Sequence, residues 1–120
     1  MVLCAGSAYE QKYYLGPEFE DLPQQIKDEL QIMTVVFLER VGGVLLLDFD
    51  DEGYLTISTQ SNEEDITYDE IEAKLQVRAL QKEKAELFES LERYYAVFFG
   101  DGPDEELEKY MEEMDISDED

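Results

Sequence analysis

The sequence predicts an α+β protein: an antiparallel sheet of three to five strands, with a meander at about 34–60, packed against helices at about 22–33 and 68–99. Three observations lead there. Between residues 34 and 60, runs rich in Val, Leu, Ile and Phe are separated by glycine turns. Apolar residues at helical spacing precede and follow those runs. With 43% hydrophobic residues, eight Tyr and six Phe in 120 residues, the chain can build a core without metal or disulfide support.

The first segment, VLCAGSAYEQKYYL, reads as two extended pieces, Val2 to Ala5 and Gln11 to Leu15, turning at Gly6 and Ser7. After the breaker Gly16-Pro17, Leu22, Ile26, Leu30 and Met33 fall on one helical face, and Pro23 suits a first turn. The runs TVVFLER, GVLLLDFD and YLTISTQ supply the meander. VLLL suggests a central strand, whereas alternation in YLTIST suggests a strand with one face in solvent. A second helical region starts at Thr67, with Glu70 completing a capping box and Ile66 set to pack on Ile71. From Tyr68 to Phe99 no Gly or Pro intervenes, and the apolar positions change phase, which predicts a bend near Leu75 to Ala79 or a long helix between subunits. Residues 1–100 read as one α+β domain, and 101–120 as an acidic tail that is disordered or forms a short amphipathic helix.

The formal charge of −23 narrows the partners. Nucleic-acid binding draws its free energy from Lys and Arg displacing counterions, and no basic cluster is present. Anionic membranes are disfavoured on the same ground, and no apolar run approaches the roughly 20 residues that span a bilayer. The amino terminus lacks the charged and apolar regions of a signal peptide, and one cysteine permits no internal disulfide, so a cytoplasmic location is expected. Cys4 reads as a small buried residue.

The acidic stretch LLLDFDDEGYLTIS fits a calcium loop only in part. With Asp48 at its first position, Asp50, Glu52 and Gly53 fall where such a loop needs them, but the closing bidentate Glu is Thr59 and no helices flank it. The same residues form a type I turn with Gly53 left-handed, closing a bulged hairpin. Asp48, Asp50 and Glu52 stay as weak metal-ligand candidates. The chain contains no histidine, which removes Ser-His and Cys-His nucleophile arrangements, and no phosphate-binding glycine loop. No catalytic residue and no cofactor is assigned.

In LERYYAVFF, neighbours 100° apart on a helix present a broad apolar face. Core packing explains much of it; a partner or homodimer interface would use Tyr94, Tyr95, Phe98 and Phe99 as anchors. Residues 101–120 hold eleven acids and one lysine, with Leu107, Tyr110, Met111 and Met114 interleaved, a pattern that suits either a solvated tail or a segment docking on a basic partner.

The segments YEQKYYL, LPQQIKDELQIM, VGGVLLLDFDDEGYL and ELFESLERYYAVFF resemble an uncharacterised family of small acidic proteins from clostridial anaerobes. The resemblance covers most of residues 1–100 and implies an α+β cytoplasmic protein, with no catalytic residues to carry over. The order of elements is also similar to that of acidic immunity proteins, an analogy of architecture alone. The expected role is a non-enzymatic interaction or regulatory protein whose acidic surface meets a basic partner. The alternatives are an immunity-type or nucleic-acid-mimicking inhibitor of a basic partner, and a weak metal or small-ligand binder.

Overall fold

The computed structural model describes residues 1–100. Four strands, β1 (Val2–Ser7), β2 (Lys12–Leu15), β3 (Val44–Phe49) and β4 (Leu55–Gln60), form one antiparallel sheet in the order β2-β1-β3-β4. Three helices, α1 (Gln24–Val41), α2 (Glu70–Glu83) and α3 (Ala85–Phe99), pack with it, and the architecture is the expected α+β class. Leu45, Leu47 and Phe49 of β3 are buried beneath the helices, whereas Val44, Leu46 and Asp48 alternate onto the open face.

The amino-terminal hairpin is longer than expected. Gly6 and Ser7 belong to β1, and Ala8 to Gln11 make the turn, with Gln11 at φ 53° and Ser7 Oγ accepting the Glu10 N–H. Gly6 serves packing: a Cβ there would fall 2.6 Å from Thr34 Cγ2 on α1. The β1–β3 register shifts between Val2 and Cys4, and this irregularity lets consecutive Leu3 and Cys4 both enter the core.

The largest correction concerns TVVFLER. Residues 34–40 are not the meander's first strand but the second half of α1. Leu30, Met33, Thr34 and Phe37 are all buried at helical spacing, so packing of one continuous face outweighs the β preference of Thr34, Val35 and Val36. The helix stops at Gly42 and Gly43, both with positive φ. Strand β3 then pairs with β1 on one side and β4 on the other. VLLL is central and β4 alternates half-buried and exposed residues, as the residue patterns indicated, and β4 lies at the sheet edge.

Two boundaries in the second helical region also move. The N-cap of α2 is Asp69, whose carboxylate accepts the N–H groups of Ile71 and Glu72. Thr67 instead donates both its N–H and its hydroxyl to Asp65. Ile66 and Ile71 are 95% and 74% exposed and form no staple. The helical break lies at Lys84, beyond Leu75 to Ala79. The stripe Tyr68, Ile71, Leu75 marks a surface, since Ile71 and Leu75 are exposed while Ala73 and Leu80 face the core.

Candidate functional site

At one end of the molecule the 3-10 turn Pro17–Phe19, the β3–β4 hairpin and the last turns of α3 meet around aromatic rings. Phe19 is fully buried and stacks on Phe49 at 5.7 Å between ring centroids, and Phe49 stacks on Tyr95 at 4.3 Å. Phe99 lies 5.3 Å from Phe19, and Tyr94 packs on Phe98 at 4.7 Å. Tyr94, Tyr95 and Phe99 are therefore part of the core margin. Phe98 is 65% exposed with Val97 beside it. Of the four aromatics expected to anchor a partner, Phe98 alone presents most of its surface to solvent; Leu107, Tyr110 and Met111 lie outside the described residues.

The carboxylates near this end are arranged by backbone needs. Asp50 Oδ1 accepts the N–H groups of Glu52 and Tyr54, each at 2.9 Å, and Gly53 at φ 88° closes the bulged hairpin. Asp48 accepts the Thr56 hydroxyl at 2.7 Å. Asp48 and Asp50 are thus engaged in the hairpin, and among the described residues no three His, Cys, Asp or Glu side chains form a group able to hold a metal ion. Glu92 reaches from α3 to accept the Leu55 N–H at 2.8 Å, fastening the helix to the edge strand. Glu18, Glu20 and Asp21 at the 3-10 turn and Asp50, Asp51 and Glu52 in the hairpin are all exposed, so the two elements that meet the end of α3 carry six solvent-facing acids.

The fold of residues 1–100 coincides with a sequence family: the model of a family of unknown function, DUF6145, matches residues 1–103. The chain belongs to this family. No curated protein and no solved structure matches it.

Within this DUF6145 fold the buried polar groups cluster away from the acidic end. Cys4 lies in the core against Tyr13 and Thr34, and burial pushes its thiol up from 9.0 to about 11. The Tyr13 hydroxyl is buried with only that thiol, a poor hydrogen-bonding group, beside it, and desolvation raises its pKa strongly. The expectation of a buried Cys4 holds. From the β1–β2 turn, Tyr9 donates to Asp65 of the exposed β4–α2 connection at 2.7 Å, which raises the phenol's pKa, and accepts the Asn62 N–H; the Thr67 hydroxyl and then Tyr9 hold the Asp65 carboxyl low.

A second surface of the DUF6145 chain escaped the sequence reading. Between α1 and α2 runs an open groove of about 960 Å³, with Ile32, Met33, Val36 and Phe37 on one wall and Ala79 and Leu80 on the other. Ile32 and Val36 are 63% and 44% exposed. Assigning residues 34–40 to a strand hid this wall; the signal that shows it is the unbroken helical spacing from Leu30 through Phe37 to the Gly42-Gly43 stop. No described helix is long and apolar enough to cross a membrane.

Proposed function

We propose that this DUF6145 chain is a non-catalytic interaction module whose acidic, aromatic end binds a basic protein partner in the cytoplasm. The observation that supports it best is Phe98, a large ring left 65% exposed beside a packed aromatic cluster, at the end where the acid-bearing 3-10 turn and β3–β4 hairpin meet α3. An exposed aromatic supplies the anchor, and surrounding negative charge steers a basic surface toward it. The lone, deeply buried Cys4 suits a reducing compartment.

The test is retention of basic proteins from a lysate of the source organism on immobilised full-length chain, at low and at physiological salt, beside Phe98→Ser and Glu52→Lys/Asp51→Lys variants. A partner held by the wild type, released by salt and lost with either variant is the expected result. Equal retention on all three, or none on the wild type, refutes it. If the captured partner also loses an activity on binding, the module is an inhibitor, and calorimetry at two ionic strengths will show a single tight, salt-sensitive site.

A further inference from the structure

We infer that the exposed face of α1 is a two-fold contact with a second copy of this chain. Asp28, Ile32, Val36 and Arg40 succeed one another four residues apart and so form a single ridge along α1, and all four line the α1–α2 groove. This ridge is self-complementary on reversal. When two copies of α1 run antiparallel about the middle of the ridge, Ile32 of each meets Val36 of the other, and Asp28 of each meets Arg40 of the other. That is the pattern an isologous interface requires, with two apolar contacts at the centre and two opposite-charge pairs outside them. Ridges of this four-residue kind interdigitate in the commonest class of helix packing.

The side chains are free for that role. Arg40 makes no ion pair among the described residues, where the single pair is Lys84 with Glu29 at 3.5 Å. Asp28 engages one carboxylate oxygen with Gln24 Nε2, leaving the other available. The charge around the groove favours a second copy over the basic partner assigned to the aromatic end. Asp28, Glu29 and Glu83 stand there against Arg40 and Lys84, a net −1, in a chain with 32 acids and nine bases. Two such chains approach most readily where each is nearly neutral.

Sedimentation equilibrium or light scattering on the full chain at physiological salt tests the contact. The wild type is expected at twice the 14.0 kDa chain mass. Asp28→Arg alone and Arg40→Asp alone each place like charges across the dyad, and each is expected to raise the dimer dissociation constant about tenfold or more. The double variant Asp28→Arg/Arg40→Asp restores opposite charges and the dimer with them. All four side chains lie at the groove mouth, so circular dichroism of the variants should match the wild type. A monomeric wild type, single variants that still dimerise, or a double variant that stays monomeric overturns the inference. So does a dimer dissociated by Phe98→Ser and untouched by the α1 variants.

Discussion

At Gly6 strand β1 passes so near α1 that a Cβ would also lie 2.7 Å from Leu38 Cδ1. Thr34, the other neighbour, is fully buried and its hydroxyl is tied to the Leu30 carbonyl at 2.8 Å, so it has little room to retreat. Gly6→Ala should therefore destabilise the fold by about 1–3 kcal/mol in urea denaturation, the usual range for overpacking; an unchanged midpoint would mean that α1 slides aside freely. Cys4 gives a pH signature. Its acid dissociation moves from 9.0 to about 11 on burial, so the folded state holds a proton that the unfolded state releases. That contribution is complete below pH 9.0 and is lost as pH rises toward about 11. The melting temperature should fall across this window, and Cys4→Ala should flatten the fall. Tyr13 is shifted in the same direction; Tyr13→Phe removes a poorly satisfied buried hydroxyl and should leave stability equal or raise it by up to about 1 kcal/mol.

Among the elements, α2 offers the cleanest comparison, because two residues compete for the role of cap. Asp69 makes the capping bonds and Thr67 makes a turn with Asp65. Asp69→Ala should cost about 1 kcal/mol and Thr67→Ala clearly less; the reverse order in chemical denaturation would restore Thr67 as the helix start. The error in the sequence reading was local. Both residues precede acidic side chains within reach, and which one caps depends on where the incoming loop, held by Tyr9 through Asp65, enters the helix. The hairpin at Asp50 to Tyr54 was legible because its turn chemistry is contained in five neighbouring residues. The first half of α1 was legible from Leu22, Ile26, Leu30 and Met33. Its second half was not, because Thr34-Val35-Val36 favours a strand locally and only the sheet beneath Thr34 and Phe37 makes it a helix. The aromatic end could be read as a broad apolar face, but the division between packed Tyr95 and exposed Phe98 needs the positions of Phe19 and Phe49, distant in sequence.

For the molecule as a whole, a formal charge of −23 on 120 residues sets a background repulsion that the single described ion pair does little to offset. Added sodium chloride, which shortens the screening length from about 10 Å at 0.1 M to about 3 Å at 1 M, should raise the melting temperature. A fall with salt would show that attractive pairs dominate. The order β2-β1-β3-β4 also bears on how the chain is made. β1, made before the other described strands, takes an inner place, and the neighbour on its second side, β3, is translated only after all of α1. Until then the β1–β2 hairpin carries a bare row of amide and carbonyl groups, the kind of edge that recruits other chains. Because α1 is translated between the two, it is available to settle on Gly6 before β3 arrives, so the nascent hairpin has its apolar side covered while its edge waits. The close seat of that helix on a glycine thus serves the unfinished chain as well as the finished one.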